Sequence, residues 1–436
     1  MPLNLDALAI TPRLLLEAQL QPLQGATFQP TGFPNLGAAT YDSPQGKGRM
    51  LLVESAQSVT NWLERALFKT FTRDSISDDL IDEVKGISFV EIDCGEFGRT
   101  STLLESHRLN TPYLWESADA TATTLQKNIL SDIGVTRRKK KGEASDSGDD
   151  NQDSAGRVDM HRFYKALLKY DLNSLIHGIF LEKVAGRLRV PRALSGFVEA
   201  SNVKPADSGG TKFDHIFPAT DEKYGITSKD GFVNVPYPVT RFSAESITAY
   251  FNVDLNQIRG YGLGVDAEQL LTHLSLYKLA RLLESDWDLR SNCKFAVKSF
   301  GLTRPVDGFE FPSAKEIAAA LPNLIGKVRT RGDFGGEGDP VRRVRWSKKK
   351  EKFAVSFATG TAAPLIPDDL KKVIKWTKET KSKASSVELP ERPSDDLLAK
   401  LLSLFDGNQA AQAAINKTMG GNVGESDAAD DEEVKD

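Results

Sequence analysis

Residues 14–20 constrain this chain more than any other stretch. They alternate strictly: Leu14, Leu16, Ala18 and Leu20 take one side of an extended strand, and Leu15, Glu17 and Gln19 the other. A period of two describes a strand with one face on a core and the other more polar. Residues 247–255 (ITAYFNVDL) repeat the pattern, with Ile247, Ala249, Phe251, Val253 and Leu255 on one face. Each alternating stretch is followed by a helix signal. After the first, an apolar run at 51–53 precedes Ser55, a cap for a helix starting near Ala56. Ala56, Val59, Leu63 and Leu67 then keep helical spacing. After the second, the turn GYGLG (260–264) opens a helix from about Asp266 to Ser285. Strands are expected to close the two units at 87–92 (ISFVEI) and 294–300 (KFAVKSF). Two strand-helix-strand units predict an α+β fold with an RRM-like, ferredoxin-like palm.

The chain has 436 residues, too many for one compact core. The palm is expected to be discontinuous, from 1–96 and 187–302. A helical insertion is expected at 97–186, with helices at 121–133 and 160–186. Between them, 137–157 (RRKKKGEASDSGDDNQDSAGR) has almost no apolar residue, and such a segment reads as a disordered surface insertion. Within the palm, 204–245 is a loop-rich excursion. Residues 303–380 are expected to form a C-terminal α/β extension. It has a helix near 313–321, a Gly-rich turn at 331–340 and a hairpin at 341–360 with a basic crest. Residues 381–436 hold a last helix and an acidic tail expected to be disordered.

Composition excludes several classes. No run approaches the roughly 18 apolar residues a membrane helix needs. The start, MPLNLDALAITPR, lacks the pattern of a signal peptide, so cytoplasmic residence is expected. Two cysteines, Cys94 and Cys293, give neither a disulfide framework nor a Cys-based zinc site. The net charge of −4 is set by the tail, because seven of the 60 acidic residues and one of the 56 basic ones lie in 425–436. Without that tail the body is close to neutral, so nucleic-acid binding would have to come from local patches. No P-loop, HExxH or GxSxG motif is present, and no catalytic residue, metal or cofactor is expected. The five histidines do not fall in metal-ligand spacing. Glu284, Asp286 and Asp288 form a short acidic group that reads as a solvated helix terminus before it reads as a metal site.

The candidate binding residues each have a bland alternative. Gln57, Asn61 and Arg65 recur every four residues and form a polar stripe that could bond phosphates, sugars or base edges, or simply face water. Arg187, Arg189 and Arg192, in extended chain, could track a nucleic-acid backbone or line a surface strand. The basic run RRVRWSKKKEK (342–352) is either a nucleic-acid contact or a solvated hairpin tip. Phe28, Phe33, Phe213 and Trp346 could stack on bases or pack locally. Gly260, Gly262 and Gly264 make a tight turn or expose backbone amides to a phosphate.

The pairing of LLLEAQLQPLQGATFQPTGFPNLGAATY (14–41) with LLVESAQSVTNWLE (51–64) resembles the backbone subunit, the Cas-seven type, of type I-U (also called I-G) CRISPR surveillance complexes (Cascade), in the RAMP superfamily. Further likeness lies in RVPRALSGFVEASNV (189–203) and ITAYFNVDLNQIRGYGLG (247–264), so the resemblance spans most of residues 10–300. It implies an RRM-like palm with a helical insertion and a projecting thumb-like hairpin, for which 204–245 is the candidate. It implies copies polymerised head to tail along CRISPR RNA, target DNA engaged through guide pairing, contacts with other Cascade subunits, and a separately recruited helicase-nuclease. It assigns RNA contact to Gln29, Thr31 and Asn35 in the long loop, to Gln57, Asn61 and Arg65, to Arg189 and Arg192, to Lys212 and Phe213, and to the GYGLG turn. Two other classes stay open: a metal-dependent endoribonuclease backbone using an aspartate among Asp207, Asp214, Asp221 and Asp230, and a general single-stranded RNA-binding protein.

Overall fold

The alternating strand near the start of the chain ends up in the middle of a seven-stranded sheet. The computed structural model describes residues 5–135 and 158–347, apart from 31, 34–36, 45, 47, 183, 185–187, 218, 228, 230–232, 291 and 336–337. In chain order the principal elements are β1 (Arg13–Pro22), β2 (Thr40–Asp42), β3 (Arg49–Glu54), α1 (Ala56–Arg65), β4 (Phe89–Asp93), β5 (Arg99–Ser101), α2 (Ala120–Ile133), α3 (Met160–Tyr170) and α4 (Asn173–His177). There follow β6 (Ile179–Leu181), β7 (Leu188–Val190), β8 (Leu194–Ser201), β9 (Lys204–Lys212), β10 (Val235–Ser243), β11 (Ser246–Asp254), α5 (Leu255–Gly260) and α6 (Val265–Leu283). The last are β12 (Trp287–Arg290), β13 (Cys293–Leu302), α7 (Leu321–Thr330) and β14 (Val341–Arg345).

The main sheet runs β12-β13-β1-β11-β8-β3-β2, antiparallel at every pairing. Register follows the sequence period. Leu16 sits opposite Phe251 and Ala18 opposite Ala249, while Val198 of β8 meets Ala249 from the other side. These side chains are buried on one face. The chain therefore buries the apolar half of each strand and leaves the other half open.

Helices α1 and α6 complete the layer beneath. Ser55 caps α1 by accepting from the Ser58 amide, and Val59 and Leu63 are buried. Helix α6 is buried along most of its length between α1, α4, α5 and α7. An expected pairing is corrected here. The strand at 87–92 exists as β4 but leaves the main sheet: it pairs with β5 and, in parallel, with β14. The second strand of the first unit is β8 instead. The described part of the expected 341–360 hairpin, β14, forms that parallel pair rather than a hairpin arm, and the rest of it lies outside the described residues. The region 160–186 is broken into α3, α4 and β6: the chain leaves the helix at Asp171, which is extended (φ −163°), and again at Gly178, which takes φ 77°. The 137–157 insertion and everything beyond 347 also lie outside the described residues. Among the described residues no helix is long and apolar enough to cross a membrane.

The interior where these elements meet is charged. Glu64 of α1 accepts from Arg108 Nε at 2.7 Å and from Asn173 Nδ2 at 2.8 Å. Arg108 also donates to the Gly178 carbonyl at 3.1 Å. Lys278 of α6 donates to Asn173 and, at 2.9 Å, to His177 Nε2. Glu64, Arg108, Asn173, His177 and Lys278 are all buried. Burial raises the Glu64 carboxyl and lowers the Lys278 amine to about 7; Arg108 and Glu64 respectively act against those shifts. Removing one partner from such a set leaves unmatched charge in a low dielectric. Glu64→Gln should therefore cost roughly 3–5 kcal/mol, read as a fall in the urea midpoint of the full chain; an unchanged midpoint would show that the network contributes nothing to stability.

Candidate nucleic-acid interface

Helix α1 divides its residues by face. Val59, Leu63 and Glu64 point inward, while Gln57, Asn61 and Arg65 are exposed. A helix rises 1.5 Å per residue, so this row runs about 12 Å along the surface. Its members are tied together. Gln57 Nε2 donates to Asn61 Oδ1 at 3.2 Å, and Gln57 Oε1 accepts from Arg192 Nη2 at 2.6 Å. The structure thus brings together two sequence candidates 135 positions apart. Arg192 is half-buried, and burial followed by the nearby Arg108 pulls its pKa below the ordinary value. At the other end of the row, the Arg65 guanidinium lies 5.2 Å from the Trp62 ring centroid and 4.8 Å from that of Phe71. The result is a line of two cations and two amides, each with donors available to an anion or a base edge.

Phe71 and Arg73 beside this row were not singled out by the sequence. They sit on a loop organised by Asp79, which is buried. Its carboxylate accepts from Thr70 Oγ1 (2.6 Å), Thr72 Oγ1 (2.8 Å) and the amides of Thr72 (3.1 Å) and Arg73 (3.0 Å). Burial pushes Asp79 up, but these donors outweigh it and hold the group at about 2. Arg73 takes φ 61°, a region that non-glycine residues seldom occupy. No local pattern announces this. The only sequence trace is the Thr-rich run TFTRD (70–74) followed by an aspartate.

The other candidates are dispersed. Arg189 is exposed on β7, its guanidinium 4.8 Å from the Phe180 ring. Gln29 lies away from α1, exchanging bonds with Asn292 at the β12–β13 turn. Thr31, Asn35 and Arg187 lie outside the described residues, and so does the side chain of Phe33. Phe28 is not available for stacking on a base: it is 1% exposed, packs edge-to-face on Phe295 at 5.4 Å, and bridges to Phe242. Strands β9 and β10 form a two-stranded ribbon over 204–243, with Lys212 at its far end. Phe213, just beyond, is 76% exposed. Asp207, Asp214 and Asp221 each accept a hydrogen bond within this region, and Asp230 lies outside the described residues. Trp346 packs edge-to-face with Phe97 and Tyr113.

In the GYGLG turn, Gly262 and Gly264 take φ 65° and 89°. At Gly264 the backbone conformation calls for glycine, and a Cβ there would also displace the tip of Arg331, 2.8 Å away. Gly260 closes α5, and the Tyr261 hydroxyl donates to the Leu175 carbonyl at 2.7 Å. Of the acidic group at 284–288, Glu284 accepts from the Ala314 amide and Asp288 pairs with Lys294. Among the described residues no group of three His, Cys, Asp or Glu side chains could hold a metal ion.

The open face of the main sheet has a different character. Tyr250 stacks on Phe197 at 5.1 Å, and Glu17 stands beside Tyr250 in register. Glu199 neighbours Thr248 and accepts from the Tyr41 hydroxyl. This face is aromatic and acidic, in contrast to the edge along α1.

Residues 14–205 match the model of the family described as CRISPR-associated protein GSU0053. No curated relative matches the chain. Among solved structures, a chain of a "CRISPR RNA-guided surveillance complex, pre-nicking" aligns at TM-score 0.37 and 12% identity, covering 77% of this chain and 97% of that one. Csc2 of Thermofilum pendens aligns at TM-score 0.25 and 11% identity, covering 75% and 78% respectively. Both scores are too low for a shared fold to follow from them.

The Asp79 geometry has a measurable consequence. Its pKa is depressed from 3.8 to about 2, so the stability it contributes is present above the ordinary carboxylate range and is lost as pH falls toward 2. Asp79→Ala should cost on the order of 1–3 kcal/mol by orphaning its donors and should flatten the acid limb of the stability–pH curve. An acid limb identical to the parent's would rule this role out.

Proposed function

We propose that this chain, whose residues 14–205 match the model of the CRISPR-associated GSU0053 family, is a non-catalytic CRISPR RNA-binding backbone subunit of a type I surveillance complex. The family match carries the reading, and the architecture supports it. Numbering the strands β1, β8, β11 and β13 from first to fourth, their order across the sheet is fourth, first, third, second, with α1 after the first and α6 after the third. That is the order of a ferredoxin-like, RRM-like palm, a fold that serves as an RNA platform. On this reading the ribbon β9–β10 is the thumb, residues 97–186 the insertion, and Gln57, Asn61, Arg65 and Arg192 the centre of the backbone contact. Arg189, Lys212, Phe213, the GYGLG amides, Gln29, Thr31 and Asn35 are its outer contacts.

The subunit grips phosphates and sugars, and guide pairing supplies sequence specificity toward target DNA. Copies joined head to tail make a heterologous contact that does not close on itself, which generates a helical filament along the RNA. Other Cascade subunits cap it, a recruited helicase-nuclease cuts, and the assembly works in the cytoplasm. The endoribonuclease alternative is the second reading; Asp207, Asp214 and Asp221 each accept a hydrogen bond within residues 204–243.

Co-expression with a CRISPR array and the partner subunits should yield particles from which a uniform RNA can be extracted; nucleic-acid-free monomer would sink the proposal. Incubating that particle with matched RNA and Mg²⁺ should leave the RNA intact, whereas cuts at regular intervals abolished by Asp207→Ala would favour the endoribonuclease. Replacing Arg189 and Arg192 together by alanine should weaken binding about equally for all RNA sequences and lower the log–log salt slope by roughly 1–2. An unchanged slope would put the RNA elsewhere.

A further inference from the structure

We infer that the cleft at the C-terminal end of α1 takes one nucleotide of single-stranded RNA, its base against aromatic rings and its phosphate against arginines. This rests on the RNA-binding reading above and adds a site to it. The cleft has a volume of about 950 Å³ and opens beside Asn61 and Arg65, so it continues the α1 row. Its walls come from several separate parts of the chain: the end of α1, the Asp79-ordered loop, the β4–β5 turn with β5, the stretch from Leu103 to Tyr113, and Trp346 just after β14.

Two features select the ligand. The first is exposed aromatic surface. Phe97 is 70% exposed and Phe71 45%. Trp346 stands 6.2 Å from Phe97 at an interplanar angle of 69°. An edge-to-face pair leaves ring faces uncovered, and a flat heterocycle can cover them. The second is charge. Arg65 and Arg73 are exposed at the opening, and Arg99 is held within the wall by the Asp74 carbonyl at 2.6 Å. Two carboxylates also line the cleft, but both are engaged: Glu64 with Arg108 at 2.7 Å, and Glu105 as acceptor of the Thr100 hydroxyl at 2.5 Å. Guanidinium groups beside the exposed Phe97 ring suit a phosphate carrying a planar base. An acidic peptide would use the arginines and leave the rings uncovered.

The site is also preorganised. Asp79 fixes the backbone of Thr72 and Arg73, and Phe71 lies between the Arg65 guanidinium at 4.8 Å and the Phe68 ring at 5.3 Å. Little side-chain freedom remains to be lost on binding at that wall.

The test uses the full chain and an unstructured oligoribonucleotide bearing 4-thiouridine. Affinity is read by fluorescence anisotropy, and crosslinks are mapped by mass spectrometry. Phe97→Ala should weaken binding about tenfold, Phe97→Tyr should restore it, and crosslinks should fall on peptides holding Phe97 or Trp346. Parental affinity for Phe97→Ala, with crosslinks confined to other peptides, would overturn the cleft assignment. In that event loss of binding by a Gln57→Ala, Arg192→Ala double variant would leave the RNA reading standing, and absence of binding by the parent chain would overturn both. Displacement of the cleft crosslink by a poly-glutamate peptide, at concentrations where poly-uridylate has no effect, would assign the cleft to a protein partner instead.

Discussion

The buried contact of Glu64 with Arg108 and Asn173 is the constraint on which the rest depends. Glu64 lies between Leu63, which faces the core, and Arg65, which faces solvent. Placing a carboxylate there is costly unless matched, because a buried unpaired ion loses its hydration without recompense. The match comes from three other elements: Arg108 from the turn after β5, Asn173 from α4 and, through Asn173, Lys278 from α6. A helix held only by Val59 and Leu63 could roll on an apolar bed. One held also by directed hydrogen bonds has its rotation fixed. That rotation is what exposes Gln57, Asn61 and Arg65 as a row.

The fold was legible in the sequence where one face of an element is buried. Alternation located β1 and β11, helical spacing located α1, and the turn after β11 placed the start of α6. Pairing was not legible. The apolar run of β4 reads as a buried strand whichever sheet receives it. Its rival β8 (LSGFVEAS) carries Phe197 and Glu199 on an open face, which dilutes its apolar signal. The chain between α1 and β8 is long, and no local pattern says that the strand beyond it, rather than β4, returns to the sheet. Phe28, for which the sequence left base stacking and local packing both open, shows a related limit. A loop aromatic looks free until the chain that covers it, here Phe242 and Phe295, is known.

The same limit explains the interface. A stripe every four residues on α1 can be read directly, since helical geometry alone makes it. The Arg192–Gln57 bond cannot, because it needs the register of β8 against β3 and the seat of α1 on both. The residues missed, Phe71 and Arg73 foremost, lie on a loop whose shape comes from one buried carboxylate. Turn chemistry of that kind carries no period.

Charge is distributed so that the open face of the main sheet and the α1 row differ in character. RRM-type sheets usually present their open face to RNA through aromatic side chains. Here that face has the rings, Phe197 on Tyr250, but flanks them with Glu17 and Glu199. A phosphate approaching it would meet like charge in partly desolvated surroundings, where repulsion is strong. The arginines are gathered instead along α1 and the cleft beyond it. A body near neutrality can hold a polyanion only if its cations are concentrated locally. On the proposed function, the sheet is the rigid support and the α1 row the surface offered to the nucleic acid.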